Sequence, residues 1–401
     1  MNGTSIRKDF PFFGPPGPPC IYMDNAATTQ KPQAVLERVT EYYRIENANI
    51  HRGDYWLSQE ATRRFEKARE TVRQWIDAPQ AEEIVFTKSS TEAINLAASG
   101  MFACMEFAGG NVVTTELEHS SNFFSWKYQC EKKRAELRIA QAEPSGVLPS
   151  DRVTELIDNN TRLVAVTAMS NVTGERPDLE RIIQKAHSVG AVILVDASQE
   201  IAHHRISVRQ LDCDFLAFSG HKIYAPMGAG VLYGKKRILE QMPPLLYGGG
   251  MMETDVAGNY AYKQVPERFE AGTQNVGAVL GLEAALQYLN DHDFDALCAY
   301  ESVLARKLKE SLEHMEGIHC VGPETASTVC SFHSERWGGY DIGVLLANRK
   351  IAIRTGAHCA YPLLKRMKLP SLCRISLSFY NTEQEVEAVV QALEGVHGRR
   401  R

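Results

Sequence analysis

Short apolar runs alternate with amphipathic stretches along the first 285 residues of this 401-residue chain, and this alternation limits the possible folds more than any other feature. The apolar runs predict strands at 83–87, 111–114, 163–168, 192–195 and 215–218. The amphipathic stretches predict helices at 32–45, 59–76, 91–101 and 179–189. Strands that alternate with helices imply an α/β fold with a mostly parallel central sheet flanked by helices.

The pattern changes after about residue 285, where a longer predicted helix at 295–315 is mixed with strands near Cys330 and Ile351. The last predicted helix starts at a capping box formed by Thr382 and Glu385. Residues 10–19 are rich in proline and glycine and predict an extended arm. We therefore predict an arm that packs on the small domain or on a partner, a large domain and a smaller α+β domain. Their ranges are 1–20, 21–285 and 286–401.

Composition excludes several classes of function. The net charge is −5, with acids and bases mixed along the chain, so we expect no basic face for nucleic acid. No apolar run approaches the roughly 18 residues of a membrane span, and no apolar signal core follows the first residues. We therefore expect a cytoplasmic protein that contacts no membrane. The nine cysteines are scattered without C-x-x-C spacing, which predicts neither a disulfide framework nor a metal site.

Lys222 follows the apolar run 215–218 through a short glycine-containing turn. An ammonium at the end of a buried strand is costly unless it is paired or its charge is removed, and Schiff-base formation removes that charge. Asp196 follows the preceding predicted strand in the same way. A lysine and an aspartate at adjacent strand ends suit pyridoxal phosphate. Taken singly, Lys222 could equally be a surface lysine and Asp196 a turn cap.

Two small hydroxyl residues, Ser90 and Thr91, lie at the start of the helix that follows the first of these strands. Backbone amides at a helix start, together with the helix dipole, suit a phosphate group. The alternative is a simple N-cap, which serine and threonine provide in most helices. His119 follows another strand and could place its ring against a planar cofactor, although a loop histidine is usually only a polar surface residue.

Cys359 lies on a glycine-containing loop that follows Arg354, next to His358. Electropositive surroundings favour the thiolate of a cysteine, which is its nucleophilic form. Arg354 and Arg374 could also bind a carboxylate in a bidentate way. The alternative for Cys359 is a buried, unreactive thiol.

Across nearly the whole chain these motifs resemble the cysteine desulfurases of the Suf type, within the aminotransferase class V group of pyridoxal-phosphate enzymes. The matching segments are 22–32, 51–53, 90–95, 118–119, 170–174, 196–199, 219–222, 268–273, 354–359 and 373–374. The resemblance implies a fold-type I pyridoxal-phosphate enzyme. In such an enzyme the large domain binds the cofactor and the small domain carries the catalytic cysteine loop.

The resemblance also implies a role for each matching residue. Lys222 is expected to hold pyridoxal 5'-phosphate as a Schiff base, Asp196 to pair with the ring nitrogen and Gln199 to reach the phenolic oxygen. His119 is expected to stack on the ring and to be catalytic together with Lys222 and Cys359. The residues expected on the phosphate are Ser90, Thr91, Ser219, His221 and, from the other subunit of a homodimer, Thr273. The expected substrate-binding residues are Asn171, Arg354 and Arg374.

The activity implied is the conversion of L-cysteine to L-alanine. Sulfur would pass to Cys359 as a persulfide and then to an acceptor protein of the SufE-like kind, for iron–sulfur cluster assembly. Many relatives carry two histidines before this cysteine, whereas here Ala357 takes the place of the first. L-Selenocysteine is an alternative substrate, which would make the chain a selenocysteine lyase, and another pyridoxal-phosphate β-lyase is also an alternative. A third hypothesis is a non-catalytic partner protein, and the presence of Lys222 and Asp196 argues against it.

Overall fold

The computed structural model describes residues 3–254 and 256–397. Its strands are β1 Ile21–Tyr22, β2 Ile84–Thr87, β3 Asn111–Thr115, β4 Glu136–Ala140, β5 Thr161–Thr167, β6 Val192–Asp196, β7 Phe215–Ser219, β8 Gly230–Gly234, β9 Met252–Thr254, β10 Tyr260–Tyr262, β11 Ile318–Val321, β12 Val329–Ser334, β13 Ile351–Ala352, β14 Arg354–Gly356 and β15 Leu372–Ser376. Its α-helices are α1 Gly3–Ile6, α2 Gln33–Glu41, α3 Trp56–Trp75, α4 Ser90–Cys104, α5 Ser120–Lys133, α6 Ser150–Thr154, α7 Leu179–Ser188, α8 Val208–Leu211, α9 Lys236–Leu239, α10 Val276–Asp291, α11 Phe294–Glu313, α12 Gly339–Ala347, α13 Tyr361–Met367 and α14 Glu383–His397. None of these described helices is long and apolar enough to cross a membrane.

A seven-stranded sheet forms the centre of the molecule, in the order β2-β8-β7-β6-β5-β3-β4. The strands from β7 to β4 run parallel, whereas β8 is antiparallel to both of its neighbours, β2 and β7. Strands β6 and β7 are buried along their whole length, so they read as continuous apolar runs in the sequence. Helices such as α4 and α7 pack against the strands. The predicted α/β fold with a mostly parallel sheet is confirmed.

The helical stripe predicted within residues 59–76 is confirmed by α3. Its buried members are Ala61, Phe65, Ala68 and Val72. The sequence pattern does not predict β4 and β8, and both omissions have a physical reason. β4 lies at the edge of the sheet and is only partly buried, whereas β8 begins and ends with a glycine, which has little strand propensity.

The second sheet has four antiparallel strands in the order β11-β12-β15-β14. Helices α11 and α12 pack on its strands, and α14 packs on both helices around a separate apolar core. The predicted capping box is confirmed at the start of α14. The Glu385 carboxylate accepts from the backbone N–H of Thr382 at 3.1 Å, and Thr382 Oγ1 accepts from the backbone N–H of Glu385 at 3.2 Å.

The N-terminal arm differs from the extended segment that its proline content predicts. Residues Arg7–Asp9 and Pro11–Phe13 form short 3-10 turns, and proline fits the first position of such a turn because no backbone donor is needed there. Phe10 lies between the turns and is fully buried. Its aromatic neighbours are Tyr224, Tyr288, Phe379 and Tyr380. The arm therefore packs on residues of both predicted domains of its own chain.

The three domain ranges stay a prediction, and two observations bear on them. Residue 285 lies inside α10, so a helix crosses the predicted limit. Strand β1 pairs with β13, and Asp24 bridges to Ser376, so the first residues of the range 21–285 join the sheet elements of the range 286–401. Residues 1–2 and 398–401 lie outside the described part of the chain.

Candidate active site

A cavity lies where β6 and β7 end, next to the start of α4 and to the loop between β14 and α13. The carboxyl ends of parallel strands meet at one edge of a sheet, which is where ligands bind in folds of this kind. The predicted site residues that line the cavity are Ser90, Thr91, His119, Asn171, Asp196, Ser219, His221, Lys222, Arg354, Cys359 and Arg374. Gln199 is buried and does not line it, and Thr273 lines a different cavity.

Lys222 ends a 3-10 turn, Gly220–Lys222, that directly follows β7. Its Nζ makes no hydrogen bond or ion pair with another residue of the described chain. Burial lowers the pKa of Lys222 to about 8, against the opposing effect of the Asp196 carboxylate. An amine with this pKa is partly neutral near neutral pH, so Lys222 can act as a nucleophile or as a base.

Asp196 is the last residue of β6 and is buried. Its Oδ1 accepts two hydrogen bonds from Ser198, from the backbone N–H at 3.0 Å and from the hydroxyl at 2.5 Å. No other described residue donates to Oδ2. A buried carboxylate with one unused oxygen suits a protonated ring nitrogen. Nearby, Gln199 donates to the Ala26 carbonyl oxygen at 2.9 Å, which fixes the position of its amide.

The first turn of α4 lines the cavity with two hydroxyl groups. Ser89 caps this helix through its Oγ, so the hydroxyls of Ser90 and Thr91 are not needed as caps. Ser219 holds Ser90 in place, since its Oγ accepts the Ser90 N–H at 2.8 Å and donates to Ser90 Oγ at 2.9 Å. Gly230 in β8 permits this close packing, because a Cβ there would lie 2.5 Å from the Ser89 backbone. Thr91 Oγ1 and Ser121 Oγ share a hydrogen bond of 2.7 Å. A helix N-terminus whose hydroxyls line the cavity suits an anion such as phosphate.

Two histidines of the cavity are neutral. His119 Nδ1 accepts from the backbone N–H of Ser121 at 3.2 Å, so the ring proton lies on Nε2. Burial, and after it the charge of Lys222, lowers the pKa of His119 to about 4. Burial and the charges of Lys222 and Lys31 lower the pKa of His221 to about 4. Both rings can therefore contact a cofactor without adding positive charge.

The loop that carries Cys359 is held in an uncommon conformation. His358 and Cys359 have φ values of 50° and 57°, in the left-handed region that residues other than glycine adopt at a cost of about 1–3 kcal/mol each. Three hydrogen bonds from outside the loop hold it there. The Cys359 carbonyl oxygen accepts from Ser120, from N–H at 2.7 Å and from Oγ at 2.8 Å, and the His358 carbonyl oxygen accepts from Asn171 Nδ2 at 2.7 Å. The backbone at Cys359 is thus fixed relative to both sheets.

His358, next to the thiol, is also neutral. Its Nε2 donates to the Leu372 carbonyl oxygen at 3.1 Å, and Nδ1 is buried without a hydrogen-bond partner in the described chain. Burial, and after it the charge of Arg374, lowers the pKa of His358 to about 3. His358 therefore carries no positive charge at neutral pH and cannot act there as a general acid.

The two arginines proposed for a substrate carboxylate differ in environment. Arg354 in β14 and Arg374 in β15 are cross-strand partners, but Arg354 is exposed and Arg374 is buried. Arg374 Nη1 donates to the Asn171 carbonyl oxygen at 2.9 Å and Nη2 to Asp24 Oδ1 at 2.8 Å. Burial lowers the pKa of Arg374 from its ordinary value. Arg374 is therefore a fixed cation in the cavity wall, whereas the exposed side chain of Arg354 makes no hydrogen bond or ion pair with another described residue.

The residues of the cavity fit pyridoxal phosphate. The Lys222 amine and Asp196 Oδ2 have no hydrogen-bond partner among the described residues, and Ser90 and Thr91 line the cavity at the start of α4. These groups match the aldehyde, the ring nitrogen and the phosphate of that cofactor. The fold and the cavity together define a pyridoxal-phosphate-dependent enzyme with the class V aminotransferase fold.

Comparison with known proteins agrees with this class. The family model described as aminotransferase class-V matches residues 21–389, and the chain belongs to this family. It is 42% identical over 395 residues to a cysteine desulfurase from Enterobacter sp. (strain 638), covering 98% of this chain and 97% of the relative. The alignment confirms the predicted family, and membership of the Suf type stays a prediction.

Two solved structures are similar over nearly their whole length. The cysteine desulfurase CsdA from Escherichia coli, in an S-sulfonic acid form, has a TM-score of 0.91 and 36% identity, covering 99% of this chain and 98% of that chain. An apo cysteine desulfurase from Thermococcus onnurineus NA1 has a TM-score of 0.92 and 35% identity, covering 98% and 97%. These matches confirm the predicted fold class.

Four cavity residues have no role in the sequence prediction: Ala26, Ala27, Ser89 and Ser198. The alanines lie in the matching segment 22–32, but a methyl group gives no chemical signal for a site. Ser89 directly precedes the matching segment 90–95, so extending that motif by one residue finds it, whereas Ser198 lies within the matching segment 196–199 but was given no role. Asp24 was also missed, and its contact with Arg374 appears only in the folded chain.

Proposed function

We propose that the protein is a pyridoxal-phosphate-dependent cysteine desulfurase that converts L-cysteine to L-alanine and passes sulfur through Cys359 to an acceptor protein for iron–sulfur cluster assembly. The observation that carries this proposal is the position of Cys359, on a loop held at the same cavity as Lys222 and Asp196. A lyase or transaminase that uses the same lysine and aspartate has no need of a fixed thiol. The names of the full-length relatives support the same activity.

The proposed mechanism assigns one task to each group. Arg374 binds the substrate carboxylate, with Asn171 beside it and Arg354 as a second cation. Lys222 Nζ removes the Cα proton of cysteine as a general base. When bound, pyridoxal phosphate stores the electron pair that this proton leaves behind. His119 keeps its proton on Nε2 within the same cavity and stays neutral.

Sulfur transfer then requires a nucleophile. The Cys359 thiolate attacks the substrate sulfur, so that an S–S bond forms on Cys359 while the Cβ–S bond of the substrate breaks. The electron pair of that bond stays with Cβ, and Cβ and Cα each take up a proton to give alanine. The persulfide on Cys359 is the sulfur carrier, and a thiol of the acceptor protein receives its outer sulfur.

The finer parts of the proposal follow from the sequence. A Suf-type enzyme and an acceptor of the SufE-like kind are supported by the short segment after Cys359 and by Tyr340, which stands before Asp341 where relatives with a zinc-bearing acceptor tend to carry histidine. A homodimer and a cytoplasmic location belong to the same proposal. Selenocysteine lyase is the second candidate, because Ala357 leaves one histidine beside the thiol.

The test is to incubate the purified, cofactor-loaded protein with L-cysteine beside a Cys359→Ala variant. We expect alanine, and a mass increase of one sulfur atom on Cys359 that the variant lacks. Pyruvate as the product, or alanine formed equally by the variant, contradicts the proposal and favours another lyase. Selenocysteine cleavage that survives in Cys359→Ala while cysteine turnover is lost supports the second activity alongside the first.

A further inference from the structure

We infer that Asp24 is a positioning residue for substrate recognition, because it fixes the orientation of the Arg374 guanidinium group, which binds the substrate carboxylate. The inference rests on the proposed function, in which Arg374 binds the carboxylate of L-cysteine. Asp24 itself does not line the cavity, so it acts through Arg374.

The contact is specific to these two side chains. Asp24 follows β1 and forms an isolated parallel bridge to Ser376 at the end of β15. Arg374 lies two residues before Ser376 on β15, so the bridge places Asp24 beside it. Arg374 Nη2 donates to Asp24 Oδ1 at 2.8 Å. Among the described residues, Asp24 makes no other side-chain hydrogen bond or ion pair. Arg374 is therefore the one described group whose orientation this carboxylate fixes by direct contact.

The hydrogen-bond donors of Arg374 explain why its orientation matters. A guanidinium has five N–H groups in one plane, and Arg374 gives one to the Asn171 carbonyl oxygen and one to Asp24. Nε is buried and has no partner within the described chain. A bidentate carboxylate takes two parallel N–H groups. The two protein acceptors therefore decide which N–H groups are left for the substrate.

The charges around the cavity give Asp24 a second effect. Arg374 lies near two other cations, Arg354 and Lys222. Its side chain is 2% exposed, whereas that of Asp24 is 22% exposed. A buried cation without a counter-charge is strongly unfavourable. The Asp24 carboxylate supplies that counter-charge, and so stabilises the charged guanidinium of Arg374 in the cavity wall.

The experiment compares two ligands that differ only in the carboxylate. L-Alanine and ethylamine are titrated into the cofactor-loaded protein, and each dissociation constant is read from the change in visible absorbance. We expect Asp24→Ala to weaken L-alanine binding by about tenfold, the effect of losing one charge-assisted hydrogen bond, and to leave ethylamine unchanged within about twofold. Asp24→Asn keeps an oxygen acceptor, so we expect a smaller loss. Arg374→Ala should abolish the preference for L-alanine.

Glu116 supplies the matched control. It pairs with Arg366 at 2.8 Å, and neither residue lines the cavity. Glu116→Gln removes a carboxylate from an ion pair of similar length, so it should change neither dissociation constant. Thermal unfolding of each variant reports any loss of fold, and if Asp24→Ala does not fold, Asp24→Asn carries the same comparison.

Equal weakening of both ligands in the Asp24 variants contradicts the inference, because it indicates a general structural role. Unchanged binding of both ligands also contradicts it. If the unaltered protein shows no preference for L-alanine over ethylamine, Arg374 does not bind the ligand carboxylate. The inference about Asp24 is then contradicted together with that role of Arg374. The titration needs no turnover, so production of alanine from L-cysteine by the unaltered protein tests the proposed function separately.

Discussion

Burial sets the protonation state of the side chains that matter most in the cavity. It lowers the pKa of Lys222 to about 8, that of His119 to about 4 and that of His358 to about 3. The two histidines are therefore neutral over the ordinary pH range, and Lys222 is the one of these three that titrates near neutral pH. Sequence position alone gives none of these values, because each depends on how much water the folded chain excludes.

The rate at which the cofactor-free protein binds pyridoxal phosphate should rise with pH up to about 8 and then level off. The neutral amine is the nucleophile, and the lowered pKa of Lys222 makes about one-tenth of it neutral at pH 7. The measurement is stopped-flow absorbance of the visible band at a series of pH values, with Lys222→Ala as the control that forms no band. A rate that keeps rising to pH 10 means that Lys222 has an ordinary pKa.

At the scale of elements, the cavity is a junction between pieces that are far apart in the chain. The ends of β6 and β7 belong to the seven-stranded sheet, and α4 packs against that sheet. The Cys359 loop instead follows β14 of the second sheet. Ser120, the first residue of α5, joins the two by its hydrogen bonds to Cys359. The position of Cys359 in the cavity therefore depends on how these elements pack together.

The capping box of α14 offers a test of an element away from the cavity. Thr382→Ala removes the acceptor for the Glu385 N–H, and we expect a loss of about 1 kcal/mol in the free energy of unfolding with turnover unchanged. Denaturant unfolding measures the loss. The control is Thr71→Ala within α3, where the hydroxyl bonds, among the residues that the structure describes, only to the Lys67 carbonyl oxygen, and where alanine has the higher helix propensity. Equal losses in both variants show that the cap is not responsible.

At the scale of the whole molecule, the predicted homodimer depends on Thr273. It lies in a cavity with Arg52 and Lys263, apart from the one that holds Lys222. This position agrees with the predicted homodimer, in which Thr273 reaches the phosphate bound by the partner, and the homodimer stays a prediction.

A mixed dimer tests this arrangement. One protomer carries Thr273→Ala and its partner carries Lys222→Ala, each with a different affinity tag so that the mixed dimer is purified. If Thr273 completes the partner's site, one of the two sites has both residues intact, and we expect about half of the normal turnover with normal cofactor affinity at that site. If Thr273 serves its own subunit, the mixed dimer binds cofactor as weakly as the Thr273→Ala homodimer.

The sequence by itself determined the parallel sheet and most of the cavity residues. Apolar runs such as β6 and β7, and the periodicity of α3, are local signals that a single chain carries. Lys222 and Asp196 are recognisable because each ends such a run. The capping box at Thr382 is local for the same reason, since its two residues are three apart.

Only the tertiary structure decided how these residues are held. Arg374 and Asp24 are 350 positions apart, and a pairing between distant residues leaves no periodic pattern in one sequence. The same is true of the hydrogen bonds between Ser120 and Cys359 and of the full burial of Phe10. Periodicity reports which face of an element is buried, whereas contacts across the fold depend on packing, and packing sets the pKa values and the orientations on which the chemistry depends.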